Sequence, residues 1–360
     1  MNERIKLLIL LGAAGVFTIV LAARMHFVKL EAAGSPALTN QTTKLLRVPT
    51  EQQSKNRKWL PVQLSRRWII SNGHGVSLYL PTFVRSFRDG SVYVLDYGDL
   101  LVKKFDSTGR FVEAIGSGRG RGPGELSNPT DLELDKTGRL WVADPVNGLI
   151  SVWNRQGKLI KTIRPPVLPY RVIPSGKMES VFIMPSVAAY LVARYNPTGS
   201  ITIFDNLFDP SSQSSPIRDG WLGSLNDTSV VIAFLHAGLL AGFNSSGGVA
   251  FFVRTIDRTP IAELRVYGRE GSTAVAVDPK AAMSALSISV YGSHIYILSG
   301  SESNGLRNWM PVDVYSSKDG SYEGSFRIPE ICKFAEIAGN SLLSIEDTTV
   351  TKWSIYRGHN

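Results

Sequence analysis

Cysteine is nearly absent, Cys332 being the single thiol in 360 residues. That excludes a disulfide framework, a thiolate zinc ribbon, an iron–sulfur centre and any CxxC redox pair. Histidine is scarce too, with five residues, and no GxSxG elbow, GxxxxGK[ST] phosphate loop or GxGxxG fingerprint occurs. Sustained helical periodicity is missing from residue 60 onward. What is present is an apolar content of 43% against 19% charged residues, enough to build a large core and incompatible with intrinsic disorder.

The net charge of +9 suggests a nucleic-acid partner until it is divided by region. Residues 24–59 carry seven basic side chains against Glu31 and Glu51, whereas residues 60–360 carry 30 basic and 27 acidic ones. The basicity belongs to the N-terminal stretch, the body is near neutral, and no nucleic-acid partner is expected. Residues 1–23 contain the apolar run IKLLILLGAAGVFTIVLAA, an expected N-terminal hydrophobic helix with Arg4 before it. Two fates stay open for it, a cleaved signal peptide or a retained membrane anchor. Either implies export to a periplasmic or other extracytoplasmic compartment, with anchoring at the inner membrane if the segment is kept. No cysteine follows the run, so a lipoprotein anchor is excluded. Residues 24–59 read as a polar, basic tether.

The region 60–358 is built from short alternating strands separated by Gly, Asp, Asn and Ser turns. An apolar-x-x-aromatic element recurs six times, ending at Phe105, Trp153, Tyr195, Phe243, Tyr315 and Trp353. Five of these are followed by a tight turn closed by Gly109, Gly157, Gly199, Gly247 or Gly320. The aromatics are 48, 42, 48, 72 and 38 residues apart, the long interval holding insertions around residues 256–272 and 300–307. A second strand precedes each aromatic element, and an inner strand precedes that one. A meander of this kind cannot bury both faces alone, and radial packing around an axis solves the problem. The expected fold is an all-β, six-bladed β-propeller of antiparallel sheets, and the expected state is a monomer. Its sixth unit lacks an outer strand, and Val62-QLSRRWIIS lacks a unit, so this N-terminal strand is expected to close the ring.

The stretch from Phe105 to Ile163, with GRGPGELSNP, LDKTGRLWVADPVNG and the aromatic Trp153, resembles NHL repeats, most clearly over residues 83–163. The whole of 62–357 resembles exported bacterial six-bladed propellers of NHL-repeat or TolB-like type. That resemblance implies either a non-catalytic binding or scaffold module of the cell envelope, or a metal-dependent lactonase- or lyase-like enzyme. The calcium-dependent members hold their ion with axial Glu, Asn and Asp. Asp131, Glu133 and Asp219 lie near inner strands here without that characteristic arrangement, so no cofactor is expected and calcium is the alternative.

Glycine-rich, basic Gly116-SGRGRGPG leads into a strand rather than a helix, so it reads as an interblade crossing. Its Arg119 and Arg121 are candidates for contacting an anionic group. His74, His236 and His294 fall at different depths of the repeat, which argues against one tetrahedral metal centre. Asp96-Tyr-Gly-Asp99 and Asp144-Pro-Val-Asn147 occupy matched turns, where Asx side chains would hold the backbone. Aligning Gly90 with Gly138 sets Arg85 opposite Glu133, with Arg171 nearby. These three form either an interblade staple or, with Asp131, a ligand site at the channel mouth. The expected partner is an envelope protein or a small polar ligand met through the loop face.

Overall fold

The computed structural model describes residues 56–72, 76–176, 180–185, 190–196, 199–205, 207–208, 216–269, 272–300 and 308–358, all within the unit Ala37–Asn360. The apolar leader, the tether up to residue 55, His74 and His359 lie outside the described residues. Among the described residues no helix is long and apolar enough to cross a membrane.

Six four-stranded antiparallel sheets form the blades of a β-propeller. Blade 1 comprises Pro81–Ser86, Val92–Asp96, Leu101–Phe105 and Phe111–Ile115. Blade 2 comprises Asp131–Leu134, Leu140–Asp144, Leu149–Trp153 and Leu159–Ile163. Blade 3 comprises Pro169–Pro174, Val181–Pro185, Val192–Tyr195 and Ile201–Phe204. Blade 4 comprises Gly220–Asn226, Ser229–Phe234, Leu239–Phe243 and Val249–Arg254. Blade 5 comprises Ala285–Tyr291, His294–Ser299, Met310–Ser316 and Tyr322–Ile328. Blade 6 comprises Phe334–Ala338, Ser341–Glu346 and Thr349–Arg357, with Val62–Ile70 on its outer side in a register from Val62 opposite Arg357 to Ile70 opposite Val350. The first strand of every blade lies against the first strands of both neighbours, so the inner strands run round a complete circle. A hairpin of Leu264–Arg269 and Ser272–Val277, inserted between blades 4 and 5, accounts for part of the 72-residue interval in the repeat.

Burial explains the sequence pattern strand by strand. Val92–Asp96, Leu140–Asp144, Leu149–Trp153 and Leu239–Phe243 are buried at every position, because each is covered by a blade on both faces. Outer strands such as Leu159–Ile163 alternate, since they have solvent beyond them. The repeated aromatics Phe105, Trp153, Phe243 and Tyr315 are almost fully buried in the apolar clusters between blades. The tight turns after them are held as their composition requires. Asp106 accepts the N–H groups of Thr108 and Arg110, Asn154 those of Gln156 and Lys158, and Asn244 those of Ser246 and Gly248.

Ordered contact with the ring begins before Val62. Leu60 N–H donates to Ser325 and Ser325 N–H to Lys58, which lays this segment along the outer strand of blade 5. Arg57 reaches inward and grips Asp313 through two hydrogen bonds of 2.9 and 3.0 Å. Arg57 and Lys58, counted with the tether by composition, are therefore attached to the propeller.

Candidate functional site

The inner strand of each blade is a sheet edge, and its axis-facing N–H and C=O groups have no ladder partner. Side chains from neighbouring inner strands satisfy them. Asp131 accepts the N–H of Val172, Glu336 that of Ser86, Ser287 that of Ala335 and Ser289 that of Ile337. Arg171 donates to the carbonyls of Gly220 and Thr130, and Trp221 Nε1 donates to that of Ala285 at 3.0 Å. The polar residues at the axis thus stitch blade to blade.

At the start of these strands the axis is filled by three aromatic rings. Phe83 of blade 1, Trp221 of blade 4 and Phe334 of blade 6 meet edge-on, with centroids 5.5–5.9 Å apart. Blades 1 and 4 stand opposite one another in a ring of six, so the Phe83–Trp221 contact crosses the axis itself. The Arg171 guanidinium lies 4.0 Å from the Trp221 ring centroid and 4.4 Å from that of Tyr170, which compensates a buried cation with π faces.

Farther along the strands, Arg85 donates to Glu133 Oε1 from Nε at 2.9 Å and also from its terminal nitrogen. Glu336, on the other side, accepts from Ser86 N and Oγ at 2.7 and 2.9 Å. Burial works against the Arg85 charge, yet the carboxylates of Glu133, Glu336 and Asp131 hold its pKa above the ordinary value. Burial raises the carboxyls in turn. Glu133 and Glu336 are pushed up to about 7 against the pull of Arg85, and Asp219 to about 6 against that of Arg171. Asp131 is also raised by burial, with Arg171 and Arg85 opposing.

Arg85, Asp131, Glu133 and Arg171 are therefore brought together at the axis, but not as one bonded network. Arg85 pairs directly with Glu133, whereas Arg171 is bound to backbone carbonyls and stacked on Trp221. Glu336 and the aromatic triad were missed by sequence reasoning. The signal was available, because Phe334-Ala-Glu336 repeats the spacing of Phe83-Val-Arg85 on an equivalent strand. His236 lies in the turn after the second strand of blade 4 and His294 opens the second strand of blade 5. Among the described residues, no three His, Cys, Asp or Glu side chains are grouped as metal ligands. Cys332 is buried, which drives its thiol well above the ordinary range and away from nucleophilic use.

Arg119 and Arg121 stand apart from the axis, exposed on the crossing from blade 1 to blade 2. That crossing is internally bonded. Ser117 N–H donates to Gly124, Gly120 N–H to Leu126, Leu126 N–H to Gly118 and Gly122 N–H to the Glu125 carboxylate. Gly118 and Gly124 supply the positive φ angles of 79° and 78° that the fold-back requires. Those N–H groups are turned onto the loop itself, and the segment leads into a strand rather than a helix, unlike a phosphate cradle.

Neighbouring loops join it into a belt at one end of blades 1–3. Asn147 Nδ2 donates to Gly120 at 3.0 Å, and Arg164 donates to the carbonyl of Asn147 at 3.2 Å. Two carboxylates act alike beneath the belt. Asp96 accepts the N–H groups of Tyr79, Leu80 and Gly98, while Asp144 accepts those of Ser127, Asn128 and Asn147. The matched Asx turns thus hold loops in place. The belt presents Tyr79 at 60% exposure, Leu168 at 48% and Val146 at 42%, beside exposed Arg119, Arg121 and Arg164.

Residues 86–214 match the family DUF5128, described as a 6-bladed beta-propeller. No curated protein matches the sequence. Among solved structures, a DUF4221 family member from Bacteroides vulgatus is similar with a TM-score of 0.54 and 13% identity, over 84% of this chain and all of that one. A streptogramin B lyase is similar with a TM-score of 0.51 and 12% identity, over 82% of this chain and 98% of the lyase. A putative exported protein from Bacteroides fragilis gives a TM-score of 0.51 and 9% identity, over 86% of this chain and 99% of that one. At these identities the likeness concerns the fold.

Proposed function

We propose that this chain is a non-catalytic binding and scaffold module, exported by its apolar leader to an extracytoplasmic compartment, and that it receives an acidic protein surface on the loop belt of blades 1–3. The observation that carries this reading is the belt itself, where exposed Tyr79, Val146 and Leu168 and three exposed arginines lie on loops fixed by buried Asp96 and Asp144. Arginine and aromatic side chains over a rigid base are what protein interfaces concentrate. The axis supports the same reading: its charged groups serve neighbouring strands and its mouth is filled by aromatic rings. The pairing of Val62–Ile70 with Thr349–Arg357 acts in this proposal as the clasp that keeps the belt rigid.

The test uses the full chain in native envelope membranes, cross-linked at low salt and compared with an Arg119→Glu/Arg121→Glu/Arg164→Glu variant. A stoichiometric partner is expected with the natural chain, reduced roughly tenfold or more by charge reversal and weakened by added salt. Undiminished capture by the variant would remove the belt from the proposal.

A further inference from the structure

At the opposite end of the ring from the belt, the cleft between blades 5 and 6 holds two adjoining cavities of about 340 Å³ each. They share His294, Tyr296 and Arg357, which stand as a partition between them. The first cavity is walled mostly by apolar side chains, Leu60, Val62, Val314, Phe326 and Ile355, with the Glu323 carboxylate at the His294 side of the chamber. The second is walled by Tyr291, Ser293, Gly339 and Asn340, which line it with polar groups. This volume lies at the lower end of the range for small-molecule sites, which combine an apolar lining with a few placed polar groups.

The partition is polarised. Arg357 donates to Tyr296 Oη at 2.6 Å and has no carboxylate partner among the described residues. His294 Nε2 lies 3.1 Å from Glu323, so that carboxylate is already engaged by the imidazole. Serine 293 adds a hydroxyl 3.4 Å from His294 Nδ1. A guanidinium held by a tyrosine hydroxyl, at the boundary between a mostly apolar chamber and a polar one, complements a ligand with an anionic head and an apolar tail.

We propose that this cleft binds a free small carboxylate amphiphile, its carboxylate on Arg357 and its tail among Leu60, Val314 and Phe326. The site goes beyond the loop-belt reading and stands independently of it, since it is built from other blades at the other end of the ring.

Hexanoate titrated calorimetrically into the full chain, held in phosphatidylcholine nanodiscs and corrected against empty nanodiscs, tests the proposal. The expected result is saturable one-to-one binding, weakened about tenfold or more in Arg357→Gln, partly retained in Arg357→Lys, and absent for hexylammonium. Arg357 is exposed at the end of its strand, and circular dichroism should show that both variants keep the fold. Equal heats from Arg357→Gln, equal binding of hexylammonium, or no saturable uptake of hexanoate would each overturn the site. So would Arg357-dependent binding to phosphatidylglycerol vesicles without hexanoate uptake, which would assign the guanidinium to a membrane headgroup.

Discussion

Single residues at the axis carry both the stability and the pH dependence of the ring. Trp221 packs edge-on against Phe83 and Phe334, takes the Arg171 cation on its face and donates to blade 5 through its indole N–H. Replacing it by alanine should cost about 3 kcal/mol or more in urea denaturation, while Trp221→Phe should lose less. Glu336 makes the opposite kind of contribution. Burial lifts its carboxyl from 4.5 to about 7, so the folded chain holds this proton longer than the unfolded one. Its contribution is therefore fully favourable below about 4.5 and is lost as pH rises to about 7. Glu336→Gln keeps an acceptor for the Ser86 donors and removes the ionisation. The variant should gain about 2 kcal/mol over the natural chain at pH 8 and nearly nothing at pH 4, as read by denaturation at both values. An equal change at the two pH values would show that ionisation of Glu336 is not what costs stability.

Elements follow the same logic one level up. A middle strand with blades on both faces is buried throughout and mostly apolar, as Leu149–Trp153 is, and an outer strand alternates, as Leu159–Ile163 does. This is why the repeat could be read from periodicity even where blades 3–6 share little motif. The segment before Val62 could not be read that way. Arg57 sits in a polar, basic stretch whose composition suits a tether, yet its side chain is matched to Asp313, which is buried between the second and outer strands of blade 5. Removing one partner of a buried ion pair leaves the other uncompensated, so Arg57→Ala should lower stability by roughly 3 kcal/mol, measured by chemical denaturation. A loss below about 0.5 kcal/mol, the scale of an exposed pair, would show that this attachment is incidental.

For the whole molecule, the consequence of ring geometry is a division of labour between axis and ends. Six sheet edges converge on the axis, and the side chains there are occupied in satisfying them, from Asp131 on Val172 to Ser289 on Ile337. Loops are free of that obligation at their tips, and it is there that Arg119, Arg121 and Arg164 remain exposed beside apolar neighbours. Two separate surfaces result, the belt over blades 1–3 and the cleft between blades 5 and 6. Salt should therefore weaken binding at the arginine-rich belt more than tail burial in the apolar chamber, because screening acts on exposed charge and not on apolar contact.

The amino-acid sequence by itself determined the number of blades, the buried aromatics and the turn chemistry, because these rest on local periodicity and on contacts between adjacent strands. Pairing of Arg85 with Glu133 was also legible, since both occupy equivalent places in consecutive units. Only the tertiary structure decided that Phe83, Trp221 and Phe334 meet across the axis, that Arg171 turns to backbone and indole instead of Glu133, and that Arg357 comes to stand beside His294. Those contacts join residues from blades that are distant in the chain, and their distances depend on how the ring curves, a quantity no single repeat contains.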